Sequence, residues 1–302
     1  MAQPSVSSFV REPAVAGYFY PATLQEIKIY FSKLEQNLSV EYERTFGNIA
    51  KADGKEVNIA KGFVVPHAGW MYSGWVASFS YKFFERFCDH VDTVILIGPN
   101  HRGFGAPVAV WPGGEWKMPV GSFLVDEEFS TLLIEKLKLD NLREHVNGHV
   151  MEHSLEVQLP FFWWVCGEAE YFKNLKYVFI SMLDQSLYTA EFVGELIAQI
   201  AKKLNRRVVV FASSDFSHYE PPDVALTKDQ KVIDKILSLD AEGMYSQIAN
   251  NRVTVCGYGP IAAMLKFSKL SGASRASLLK YATSGDVAPS TEVVGYASIV
   301  VE

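Results

Sequence analysis

Thr93-Val94-Ile95-Leu96-Ile97-Gly98 runs without a polar break into Pro99-Asn100-His101-Arg102-Gly103, and Val208-Val209-Val210-Phe211-Ala212 runs likewise into Ser213-Ser214-Asp215-Phe216-Ser217-His218. A strand with one wet face alternates apolar and polar side chains, whereas a strand covered on both faces reads as a continuous apolar run. These two stretches are of the second kind, so they predict a central sheet with helices on both sides, a three-layer α/β fold. Working outward, further strands are expected at 62–66, 107–111, 177–181, 277–283 and 293–300, in a mostly parallel or mixed sheet. Helical periodicity is clearest over 24–38, 76–87, 127–137, 155–165, 190–204 and 227–239, with Gly74 expected where the chain changes direction before the second helix. Residues 47–58 are polar and glycine-bearing and read as a surface excursion. Apolar strands lie on both sides of every plausible boundary, so residues 1–302 are expected to form a single domain.

Composition narrows the function classes. The chain has 302 residues, 28 Lys+Arg against 34 Asp+Glu, a net charge of −6, and 49% hydrophobic residues. Clustered positive charge is what a phosphate backbone requires, and its lack argues against nucleic acid as a partner. No apolar run approaches the roughly 20 residues of a bilayer span, so no membrane partner is expected. Cys88, Cys166 and Cys256 are too scattered for a disulfide framework, and the first thirty residues lack signal-peptide features; a cytoplasmic location is the expectation. No phosphate-binding G-x-x-x-x-G-K-[ST], dinucleotide G-x-G-x-x-G or G-x-S-x-G elbow occurs, which disfavours a nucleotide cofactor and α/β-hydrolase chemistry.

In α/β sheets ligands bind beyond the carboxyl ends of the strands. Four apolar segments end there in chemistry-bearing loops. Gly62 to Pro66 delivers His67, Val94 to Gly98 delivers His101, Val208 to Ala212 delivers Asp215 and His218, and Val253-Thr254-Val255, read as a strand, delivers Cys256 before a tight turn at Gly257-Tyr258-Gly259-Pro260. Imidazole, carboxylate and thiolate are lone-pair donors for a first-row transition metal. Yet His67, His101 and Cys256 stand 34 and then 155 residues apart, so spacing alone leaves plainer roles open: a turn histidine for His67, an exposed one for His101, and a small buried hydrophobe for Cys256. Asp215 and His218 are acid/base partners or, equally, a helix cap with a neighbouring histidine. His145 and His149 read as surface residues. His153, within Glu152-His153-Ser154-Leu155-Glu156, stays open between a site residue and part of a helix start.

Taken together, these motifs resemble those of the Memo family, named for a mediator of receptor-driven cell motility. The likeness starts at Arg11-Glu12-Pro13-Ala14-Val15-Ala16-Gly17-Tyr18-Phe19-Tyr20-Pro21. It continues through Pro66-His67-Ala68-Gly69, Gly98-Pro99-Asn100-His101 and Glu152 to Glu156, and ends with Ser213 to His218 and Cys256-Gly257. The resemblance implies a fold like that of the class III extradiol dioxygenases, which hold non-haem iron with two histidines and a glutamate. It implies His67, His101 and Cys256 as metal ligands, with Cys256 in the place of that glutamate, and Asp215, His218 and His153 as polar groups of the same pocket. Thiolate for carboxylate shifts metal preference toward soft ions, so catechol cleavage is not inherited with the fold. Trp70-Met71, Arg102 and Tyr219-Glu220 depart from the usual family wording.

Three functions follow as expectations. The first is a redox enzyme using iron or copper, with zinc as a further option, acting on a small molecule in the pocket, with His218 or His153 as acid/base group and Asp215 orienting it. The second is a metal scavenger without turnover. The third is a peptide- or protein-binding module that reuses the pocket, with Trp111 or Trp116 as anchors if exposed, although buried packing explains aromatics more often.

Overall fold

The computed structural model describes residues 9–53, 59–139, 141–167, 172 and 174–302. Its elements, in chain order, are β1 (Val10–Arg11), α1 (Leu24–Asp53), β2 (Gly62–Val65), α2 (Trp70–Phe84), β3 (Thr93–Pro99), β4 (Val108–Val110), β5 (Glu115–Met118) and β6 (Gly121–Leu124). Then come α3 (Glu127–Leu137), α4 (Leu142–Asn147), α5 (Leu159–Cys166), β7 (Lys176–Met182), α6 (Leu187–Leu204), β8 (Val208–Ser213) and β9 (His218–Glu220). The chain closes with α7 (Pro222–Leu237), α8 (Ala241–Asn251), α9 (Tyr258–Leu270), β10 (Ala276–Thr283) and β11 (Val293–Val301).

The main sheet has the order β10-β11-β2-β8-β3-β7-β4, with β9 joined to β11. Its centre, β2-β8-β3-β7, is parallel, and its flanks β10-β11-β2 and β7-β4 are antiparallel, so the expected mixed sheet is what forms. The apolar runs are explained by two cores. Phe63, Val65, Leu96, Val209 and Phe211 face one of them, with α1, α2 and α5 residues. Val64, Ile95, Ile97, Val208, Val210 and Ala212 face the other, with α6, α7 and α9 residues. Successive strand residues point to opposite faces, so burial on both sides removes every polar position. The four parallel strands end together, and this shared carboxyl edge positions the loops that carry His67, His101 and Asp215.

Several local expectations are corrected. The second helix begins at Trp70, and Gly74 is buried inside it, where a Cβ would overlap the Tyr30 hydroxyl. Gly74 therefore serves close packing of α1 on α2 rather than a change of direction. α1 continues to Asp53, through much of the segment read as an excursion, while residues 54–58 lie outside the described residues. Val253 to Val255 is a loop after α8 rather than a strand, and Gly257 to Pro260 opens α9 rather than forming an isolated turn. β1, β5 and β6 form a separate three-stranded sheet that had no clear signal. Trp111 and Trp116 are buried in the first core, not exposed anchors, and the Arg11 guanidinium lies 4.1 Å from the Trp116 ring centre.

His145 and His149 are fully buried rather than on the surface. α4 ends at Asn147, so the two are not on one continuous helix with His153. They are inside because each satisfies backbone at the edge strand β4. His145 Nδ1 accepts from Val110 N–H at 2.9 Å while its Nε2 donates to Leu139 O at 2.7 Å, and His149 Nε2 donates to Ala109 O at 3.0 Å. Burial drives the His149 imidazole from its usual 6.5 down to about 3, against the opposing pull of its bond to Ala109 O, and burial lowers His145 as well. Below pH 6.5 the unfolded chain takes up protons that the folded chain refuses, so stability falls as the pH drops from 6.5 toward 3. His149 alone contributes up to about 1.4 kcal/mol per pH unit in that window. Urea unfolding at a series of pH values should show this slope, and His149→Gln should flatten it; an unchanged slope would mean that the ring is already charged in the fold.

Candidate metal centre

His67 leaves β2, and its backbone N–H donates to Asp215 Oδ1 at 2.8 Å, with Ala68 N–H reaching the same oxygen at 3.4 Å. Asp215, at the exit of β8, thus ties the β2 loop to its parallel neighbour. The ring of His67 is oriented by Ser213. That hydroxyl gives its one proton to Ser154 O at 2.8 Å and accepts from Gln158 Nε2 at 3.1 Å. Its remaining lone pair accepts from His67 Nδ1 at 2.9 Å, so Nδ1 carries the proton and Nε2 presents a lone pair. Burial, together with the neighbouring His101 and His153, keeps the His67 imidazole well below its ordinary value and therefore neutral.

His101 is fixed by Glu152. Its backbone N–H donates to Oε2 at 2.7 Å and its Nδ1–H to Oε1 at 3.0 Å, which again leaves Nε2 as the free atom. Oε1 also accepts the backbone N–H groups of His153 and Ser154, each at 2.9 Å. Burial raises the Glu152 carboxyl, but the His101 side-chain hydrogen bond and the electrostatic pull of the His101 and His153 rings outweigh it and hold the group well below the usual carboxylate range. A carboxylate that orients a histidine and raises its basicity is the common partner of metal-ligating imidazoles.

His153 completes the group. One ring nitrogen from each of His67, His101 and His153 lies within 4.8 Å of the others, with ring centres 4.7 to 5.5 Å apart. His153 Nδ1 is buried without a hydrogen-bond partner, 3.3 Å from Glu152 Oε1 but outside bonding geometry. Phe19 packs against this ring at 4.5 Å. Cys256 Sγ lies 3.2 Å from His67 Nε2 and accepts the Asp215 N–H at 3.2 Å. Burial, and then the Asp215 carboxylate, push this thiol up from its ordinary value, and burial also raises Asp215 itself. Gly257 lets the start of α9 sit on the end of β8, since a Cβ there would strike Ser213 O.

The structure therefore brings His67, His101, His153, Cys256 and Asp215 together. Asp215 does not orient His218: His218 Nδ1 donates to Thr254 O at 2.8 Å, and its N–H to Thr254 Oγ1 at 2.7 Å. Residues missed in the sequence are Glu152, Ser213 and Gln158, which orient rings, and Thr254, which holds His218. Only Glu152 carried a signal, as a carboxylate directly before a histidine.

The donor chemistry fits a transition-metal ion: three clustered imidazoles, two of them with Nδ1 tied down and Nε2 left free, a soft sulfur beside His67, and a buried His153 ring nitrogen outside hydrogen-bonding geometry. An α/β protein whose parallel strands converge on a cluster of imidazoles is the class defined by this fold and site. The profile of the Memo-like protein family matches residues 11–300. A MEMO1 family protein of Methanopyrus kandleri is 42% identical over 291 residues, covering 96% of this chain and 98% of its own. One of Methanocaldococcus jannaschii is 42% identical over 296 residues, covering 97% of this chain and 99% of its own. The chain belongs to the Memo family. In fold it is also similar to an uncharacterized protein from Escherichia coli K12, with a TM-score of 0.50, 11% identity, and coverage of 80% of this chain and all of that one. Among the described residues no helix is long and apolar enough to cross a membrane.

Proposed function

We propose that this Memo-family protein holds one iron or copper ion at His67, His101 and His153, with the Cys256 sulfur beside them, and that the pocket serves redox chemistry on a small molecule. The observation that carries the reading is the convergence of three ring nitrogens within 4.8 Å, two with their other nitrogen tied down so that a lone pair is left for a ligand. When bound, such an ion supplies Lewis acidity and a one-electron couple. The chain's own part is positional. Glu152 and Ser213 fix ring tautomers, Asp215 locks two loops together, and Phe19 packs on the His153 ring. His218, with Nδ1–H given to Thr254 O, has its Nε2 left for acid/base work on a bound hydroxyl.

Scavenging without turnover is the second reading, favoured by the sulfur 3.2 Å from His67 Nε2, since thiolate prefers soft ions such as Cu(I). The peptide-binding reading loses its aromatic anchors with the burial of Trp111 and Trp116. Anaerobic titration of the wild-type protein with Fe(II), Cu(I) and Zn(II) against a chromogenic chelator tests the site. One equivalent of iron or copper is expected; no uptake of any of the three would overturn it. Oxygen consumption by the loaded protein with a panel of catechols and other small reductants then separates the readings, since an enzyme consumes oxygen and a scavenger suppresses ascorbate-driven consumption.

A further inference from the structure

At the opposite edge of the sheet, the starts of β2, β3 and β8 and the carboxyl ends of α6 and α9 enclose a cavity of about 370 Å³. Along β2, Lys61 at this edge is six residues from His67, about 20 Å at the usual strand rise, so the cavity is separate from the imidazole cluster. It has an apolar wall, with Val91, Ala201 and Phe267 buried and Ala198 and Leu270 nearer the opening, and Asn205 and Ser271 add neutral polar groups. Its charged lining is all of one sign: Lys61, Lys202, Arg206 and Arg207, with no acidic residue.

These cations are not equivalent. Arg207 is engaged by Asp92, with Nη2 donating to Oδ1 at 2.7 Å and Nε to Oδ2 at 3.1 Å. Arg206 reaches Glu128 at 3.5 Å and Asp126 at 3.9 Å, yet its Nε is buried without a hydrogen-bond partner. Among the described residues neither the Lys61 nor the Lys202 ammonium has an ion-pair or hydrogen-bond partner. A lysine in the last turn of a helix ordinarily compensates free carbonyls. That does not account for this pair, because Arg206 N–H and Asn205 N–H already cap Ala201 O and Lys202 O, and Lys61 belongs to a strand entry.

An apolar cavity with unneutralised ammonium groups at its rim is complementary to a ligand with an anionic head and an apolar body, and its volume lies within the range of small-molecule sites. We propose that this cavity binds a small amphipathic anion, its carboxylate or phosphate head held by Lys61 and Lys202 and its body against Ala198, Phe267 and Leu270. The proposal does not depend on the metal site.

The test is isothermal titration calorimetry of the full chain with decanoate and decyl phosphate, which share the class and differ in head group, against decanol and inorganic phosphate, which each supply one half of the ligand. Saturable binding of at least one amphipathic anion at one per chain is expected, with decanol and inorganic phosphate about tenfold weaker or worse. Lys61→Gln with Lys202→Gln should weaken the anion about tenfold, Ala198→Phe should block it, and His101→Ala should leave it unchanged. Both cavity variants carry exposed or half-buried changes, and circular dichroism confirms their fold. Decanol binding as tightly as decanoate, binding that ignores both cavity variants, or no saturable binding of either anion would each overturn the proposal.

Discussion

Arg11→Ala is expected to cost about 3–5 kcal/mol of folding stability, the penalty for leaving one partner of a buried ion pair alone. Arg11 and Glu156 are both almost wholly buried and meet at 2.7 Å. The guanidinium also donates to His149 O at 2.9 Å and Glu152 O at 2.6 Å. Glu156 in turn accepts from Ala14 N–H at 2.8 Å, Val15 N–H at 3.0 Å and the Tyr20 hydroxyl at 2.8 Å. This knot straps residues 11–20 across the first core. Replacing a buried pair by apolar residues is often neutral elsewhere. Here Arg11→Met with Glu156→Leu should still be strongly destabilising, because it strands three donors and the Glu152 carbonyl, while His149 O keeps only the Glu152 N–H. Urea midpoints for both variants provide the check, and a double variant as stable as wild type would show that the strap is held by its aromatic residues alone.

The second large effect concerns the metal. His67→Ala should abolish stoichiometric metal uptake, because its ring is one of the three clustered imidazoles and its Nε2 meets the Cys256 sulfur. Glu152→Gln should retain the site but lower metal affinity about 10–100-fold, since the amide keeps one acceptor yet loses the charge that favours the His101 Nδ1–H tautomer. Chelator competition measures both. Equal loss in the two variants would place Glu152 among the structural residues of the loop, and no loss in either would move the metal elsewhere.

What was legible in the sequence follows from periodicity. Strands buried on both faces announce themselves as apolar runs, so β2, β3, β7, β8 and β11 could be read directly. β1, β5 and β6 could not, because runs of two to four residues with mixed burial have no pattern to detect. Helix α2 was entered late because Gly74, a helix-weakening residue, is retained there for contact with Tyr30. At the site, His67 and His101 were exposed by their position after apolar strands. His153 was harder, since it comes from the segment before α5 rather than from a strand exit. His145 and His149 were misplaced because a histidine that serves backbone groups of an edge strand looks, in sequence, like any polar loop residue.

The Arg11–Glu156 pair spans 145 positions of the chain. On the ribosome, where chains grow at roughly 5–20 residues per second, the amino-terminal strap waits roughly 7–30 s for its anchoring carboxylate to be made. During that interval Tyr20 can already meet Trp70 of α2, but its hydroxyl and the Ala14 and Val15 N–H groups lack their acceptor and Phe19 lacks the His153 ring. Nascent chains of this protein thus pass through a stage in which the strap of residues 11–20 is only partly docked and open to chaperones, and synthesis of Glu156 ends it.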